Sequence, residues 1–126
     1  MSYCKVYVDT VYSMHDLKLF MEENIENCFE GLKCFVSLDF AAYDNENNNG
    51  NLAVGMKEDP TEARYYIEIG DDFESEFDSY DFKYGLANFI ISLRRKFEYV
   101  VASCNFEDYI VERTGWNWTD DCKFPD

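Results

Sequence analysis

Basic side chains, histidine and proline are scarce in this 126-residue chain. Eleven Lys and Arg face 26 Asp and Glu, for a formal net charge of −15. A field of that sign repels nucleic acid and anionic membrane surfaces and attracts basic ones. His15 is the only histidine. A Cys–His or Ser–His–Asp site would have to use it, yet it falls at the expected start of a helix, exposed and with its cation disfavoured by the helix dipole. No phosphate loop, GxGxxG or nucleophile-elbow motif is present, and no apolar run approaches a membrane span. The N-terminal apolar stretch is interrupted by Lys5 and Asp9, so no secretory signal is expected there.

The five cysteines, Cys4, Cys28, Cys34, Cys104 and Cys122, include no CxxC pair and offer no zinc site with a single histidine. Their odd number and the missing signal point to free thiols in a cytoplasmic protein, used mostly as small apolar residues. The run Asn45-x-Asn47-x-Asn49-Gly50 echoes half of a calcium loop but has Asn for the first Asp and Met56 where a bidentate Glu is required. No metal and no cofactor are expected. Paired carboxylates could in principle serve glycoside chemistry, but among 26 acids some pair at a suitable distance arises by accident. The residues do not point to an enzyme.

What is present is an apolar, aromatic chain: 47% hydrophobic and 18% aromatic residues, too much of both for a disordered acidic tail. Its length suits one domain over 1–126, with a core over 3–104 and a tail over 105–126. Residues 4–10 alternate with the two-residue period of a strand. Ser13 with Asp16 three residues on marks a helix start, and Leu17, Phe20, Met21, Ile25 and Cys28 give it an apolar stripe, with Gly31 at its end. Further strands are expected at 33–41, 64–69 and 99–104, a short one at 52–56, and loops at 44–51, 57–61 and 71–78. A second helix over about 80–96 carries Phe82, Leu86, Phe89, Ile90, Leu93 and Phe97 on one stripe. The tail reads as irregular or partly helical.

The order β-α-β-β-α-β predicts an α+β, ferredoxin-like sheet in the order 4-1-3-2, with two helices on one face. Alternation sends Cys4, Val6, Val8, Val36, Leu38, Ile67, Ile69, Val100 and Ala102 toward the helices. The opposite face receives Tyr7, Asp9, Phe35, Asp39, Tyr66, Glu68 and Ser103. An RNA-binding sheet of this topology would set aromatics among Lys and Arg; here the charges have the other sign.

Residues 71–81, Asp-Asp-Phe-Glu-Ser-Glu-Phe-Asp-Ser-Tyr-Asp, hold six acids and three aromatics in eleven positions. The tail repeats the theme around Trp116-Asn117-Trp118-Thr119-Asp120-Asp121. The plain alternative is a solvated loop with its Phe residues tucked inside. The functional reading is a protein-binding surface, with carboxylates that steer a basic partner and aromatics that anchor it. The residues expected to bind are Asp71, Asp72, Glu74, Glu76, Asp78, Trp116 and Trp118, with Tyr66 and Glu68 as the sheet-face alternative.

In this acidic-aromatic character the chain resembles the immunity proteins of bacterial polymorphic-toxin and contact-dependent growth inhibition systems. The resemblance implies a cytoplasmic protein that binds and neutralises a cognate toxin, often a basic nuclease domain. It lies in character, carried by Asp71 to Asp81 and Trp116 to Asp121, and no residue role transfers with it. Three other classes share the composition. A phage-type nucleic-acid mimic or anti-restriction inhibitor would space its acids like phosphates along an extended face. The others are a small enzyme working through surface carboxylates, and a housekeeping structural or regulatory domain.

Overall fold

A computed structural model describes residues 3–30, 32, 34–41, 63–71 and 80–119. The alternating run at the N-terminus is strand β1 (Tyr3–Asp9). Thr10 then turns the chain, its hydroxyl accepting the Tyr12 N–H at 3.2 Å. Helix α1 (Met14–Cys28) starts where the Ser13 hydroxyl accepts the Asp16 N–H at 3.1 Å, which satisfies one of the amides that a helix start leaves bare. Strands β2 (Cys34–Phe40) and β3 (Tyr65–Asp71) follow. Helix α2 (Tyr80–Lys96), strand β4 (Tyr99–Cys104) and helix α3 (Glu107–Thr114) complete the described chain.

The four strands form one sheet in the order β2-β3-β1-β4. Every neighbouring pair is antiparallel. One face is the core. Cys4, Val6, Val8, Tyr65, Ile67, Ile69, Val100 and Ala102 point into it and meet Leu17 and Met21 of α1, the full apolar stripe of α2, and Ile110 of α3. All three helices therefore cover the same side of the sheet.

The two long helices close on each other at a glycine. A methyl group on Gly85 would stand 2.8 Å from the Cys28 carbonyl oxygen and 2.8 Å from the Phe29 ring. Its absence lets the end of α1 settle on α2, where Phe29 lies against Phe82 and Phe89 at 5.6 and 6.3 Å between centroids.

Three details differ from the sequence reading. The stretch after β4, expected as an irregular or partly helical tail behind two helices, holds a defined third helix. Its C-terminus is set by Gly115 at φ 86, donating its N–H to the Val111 carbonyl, the usual left-handed stop. Asp9 lies on the sheet face opposite the helices, across from Tyr99 on β4, but is fully buried; its Oδ1 accepts the Arg64 N–H at 3.0 Å, from the segment just before β3. Asp71, assigned to the acidic loop, is instead the last residue of β3, opposite Cys34. The expected helix end at Gly31, the short strand at 52–56, the loops at 44–51 and 57–61, the calcium-like run and Cys122 lie outside the described residues.

Candidate functional site on the open sheet face

The face of the sheet turned away from the helices is built in rows by strand register. Phe35, Gly70 and Tyr3 make one row across β2, β3 and β1. Ser37, Glu68, Lys5 and Ser103 make the next, and Asp39, Tyr66, Tyr7 and Val101 the third. Gly70 matters in the first. Tyr3 and Phe35 sit on strands that flank β3, about 10 Å apart by two strand spacings. With no side chain between them their rings lean over Gly70 to a centroid separation of 6.3 Å. Tyr3 keeps 37% and Phe35 41% of its surface exposed.

The second and third rows mix charge with aromatic surface. Lys5 stands opposite Glu68 and holds its ammonium 4.8 Å from the centre of the Tyr66 ring. Tyr66 and Tyr7 are partners across the strands, with centroids 6.3 Å apart. Burial and a hydrogen bond with Glu68, aided by that carboxylate's charge, push the Tyr3 phenol up to about 12. Tyr66 is raised by burial and by the charges of Glu68 and Asp39. These phenols stay neutral donors, so the face offers rings and O–H groups framed by carboxylates.

The chain after α3 closes the other side of this face. Trp116 and Trp118 pack with Tyr7 on Tyr99 and Val101, so both tryptophans lie on the open face, half-buried. Between them Asn117 turns back to the sheet. Its amide accepts the Ala102 N–H at 2.9 Å and donates to the Ala102 carbonyl at 2.8 Å. The Arg94 guanidinium, from α2, donates to the Val100 carbonyl through Nε and Nη2 at 3.1 and 3.0 Å and to the Trp116 carbonyl at 2.7 Å. Burial lowers the Arg94 pKa to about 10. The outer edge of β4 is thereby capped by side chains, which keeps an edge strand from pairing with another chain.

Of the residues expected to bind, Tyr66, Glu68, Trp116 and Trp118 come together on this one face. Asp71 is 1% exposed and presents no carboxylate to the surface. Asp72, Glu74, Glu76 and Asp78 lie outside the described residues. The sequence reading overlooked Tyr3 and Lys5, although both continue the two-residue period of β1 back from Tyr7. It also overlooked a run of exposed acids on α1, Asp16, Glu22, Glu23 and Glu26, with Glu30 just beyond its end. Glu23 and Glu26 three apart, Glu22 and Glu26 four apart, and Asp16 two turns before Glu23 share one solvent-facing stripe.

A second concavity, about 430 Å³, lies between α1 and β2, with Met21, Ile25 and Leu38 among its apolar walls and Glu22 and Glu26 at its rim. His15 is exposed on the first turn of α1. Among the described residues no group of three His, Cys, Asp or Glu is placed to hold a metal ion, and no helix is long and apolar enough to cross a membrane. Comparison with models of protein families, with curated proteins and with solved structures finds no match to this chain.

Proposed function

We propose that this chain acts by binding a basic protein through its open sheet face, and that it is an immunity protein of the cytoplasm that neutralises a cognate bacterial toxin, such as a nuclease domain. The observation that carries the reading is the composition of that face: the exposed rings of Tyr3 and Phe35, with Tyr66 beside them, sit directly among Glu68 and Asp39. Rigid aromatics desolvated at the centre of an interface supply most of its energy, while carboxylates around them steer a basic partner and fix its register. The acid stripe on α1 extends the same attraction over the helical side. The element order, with strands ordered β2-β3-β1-β4, supports a ferredoxin-like core beneath this surface.

The test joins cell protection to binding kinetics. Co-expression with the toxin encoded beside this chain should protect cells. Phe35→Ala and Tyr66→Ala, checked for native circular dichroism, should weaken the complex roughly 30-fold or more, mainly by faster dissociation. Glu68→Gln and Asp39→Asn should mainly slow association at low salt. Parent-like binding by all four would move the site to Asp72, Glu74, Glu76 and Asp78, which the same assay tests by substitution with Asn or Gln. A chain that protects cells from no toxin is not an immunity protein.

A further inference from the structure

Cys4 and Cys104 stand directly opposite each other on β1 and β4, both on the core face of the sheet. The type of this pair follows from where the β4 backbone groups go. The Ala102 N–H and carbonyl both turn outward to Asn117, the Val100 carbonyl to Arg94, and the Cys104 N–H to the Glu107 carboxylate at 3.3 Å. These residues therefore occupy the non-hydrogen-bonded sites of the β1–β4 ladder. There, opposed α-carbons approach to about 4.5 Å and side chains come closest, inside the range of about 4.4–6.8 Å that a disulfide spans. The Cys4 thiol donates to the Lys5 carbonyl at 3.5 Å, and the two sulfurs are near enough to shift each other's titration. Their surroundings differ: Cys4 is completely buried, whereas Cys104 is half-buried at the point where the chain enters α3.

We propose that Cys104 and Cys4 are a peroxide-oxidisable dithiol, in which hydrogen peroxide oxidises Cys104 and Cys4 then closes a cross-strand disulfide between β1 and β4. The roles follow from position. Cys104 is the less buried sulfur of the two, and its pKa is lowered by the neighbouring Cys4 thiol, by the Phe106 N–H at the start of α3 and by the Lys83 charge, against the opposing effects of burial and Glu107. Burial holds Cys4 as a thiol. In the first step the Cys104 thiolate attacks one peroxide oxygen, the O–O bond breaks, and the hydroxide released takes up the proton that Cys104 lost, leaving a sulfenic acid and one water. In the second, the Cys4 sulfur attacks the Cys104 sulfur, the S–O bond breaks, and the departing hydroxide leaves as a second water with the Cys4 proton. Both sulfurs are oxidised and both peroxide oxygens reduced. No outside thiol is needed, so the burial of Cys4 is no obstacle to the second step.

The experiment treats the reduced full-length chain with hydrogen peroxide, alkylates the remaining thiols and maps the products by mass spectrometry. The expected product is a reductant-sensitive peptide joining Cys4 to Cys104, with an intact mass lower by about 2 Da for the two hydrogens removed. In Cys4→Ser, or Cys4→Ala should the serine variant misfold, the sulfenic acid should persist on Cys104 and be trapped by dimedone. In Cys104→Ser, Cys4 should stay unlabelled. In the native reduced chain Cys104, half-buried, should be alkylated ahead of the completely buried Cys4. A first-formed link between other cysteines, alkylation of Cys4 ahead of Cys104 in the native chain, or failure of dimedone to mark Cys104 in both Cys4 variants would overturn the assignment.

Discussion

Tyr3 shows how much a single register position decides. It faces Gly70, so its ring bends over the gap toward Phe35 and its phenol comes within reach of Glu68. Burial is the largest cause of its raised pKa of about 12, with the Glu68 hydrogen bond and charge next. A tyrosine whose folded pKa lies above its unfolded value stabilises the fold fully below the unfolded value of 10, and that contribution is lost as pH rises through about 12. Nuclear magnetic resonance titration of the tyrosine rings should therefore find Tyr3 ionising last among the exposed tyrosines. Glu68→Gln should move it back only part of the way, since burial remains. Ionisation of Tyr3 at its ordinary value in the native chain would mean that the row over Gly70 is not assembled. Alternation was enough to send Tyr66 and Glu68 to this face. It could not tell that Asp9, on the same face, would be buried with its carboxylate bound by the Arg64 N–H, because that depends on which distant segment meets each end.

At the scale of elements, legibility followed length and repetition. Helix α2 repeats its apolar stripe over 17 residues and α1 over 15, so their phase could be read directly. Helix α3 has eight residues and only Ile110 buried, too little repetition for a stripe, although Phe106, Ile110 and the stop at Gly115 were its signature. The meeting of α1 with α2 at Gly85 was invisible, since a glycine inside a helix reads as a weakness of about 1 kcal/mol relative to alanine. Here a methyl group would strike a backbone oxygen. Gly85→Ala should therefore lower stability by about 1–3 kcal/mol in chemical denaturation; a gain in stability would mean that the helices do not close there. The course of the chain after α3 was equally hidden, because it rests on Asn117 and Arg94 reaching a strand edge. Asn117→Leu keeps the bulk but strips the partners from the Ala102 N–H and carbonyl, at about 1–3 kcal/mol for each group left bare. Trp116 and Trp118 are the only tryptophans, so their fluorescence reports this segment directly. Their emission should shift to the red in that variant while far-ultraviolet circular dichroism is retained. An unshifted spectrum would show that the tryptophans hold the open face without Asn117.

For the molecule as a whole, the net charge of −15 sets two opposing responses to salt. A 126-residue domain has a radius of gyration of about 14 Å, and the screening length is about 10 Å at 0.1 M salt and about 3 Å at 1 M. At low salt, carboxylates on α1, on the sheet face and on α3 repel one another across much of the molecule, which strains the folded state more than the expanded one. Raising salt removes that repulsion, so the melting temperature of the free chain should rise steadily between about 0.02 and 0.5 M sodium chloride. The same screening would remove the long-range attraction by which, on the proposed function, a basic partner is drawn in. Association should slow as salt increases, with a smaller effect on dissociation, which short-range packing of Tyr66 and Phe35 would govern. Opposite slopes in one salt series, for stability and for association rate, are the expected signature of a surface whose charge is kept for a partner at some cost to the fold. A melting temperature indifferent to salt would show that the acids are already neutralised among themselves. An association rate indifferent to salt would place the partner among neutral proteins and remove the basic toxin from consideration.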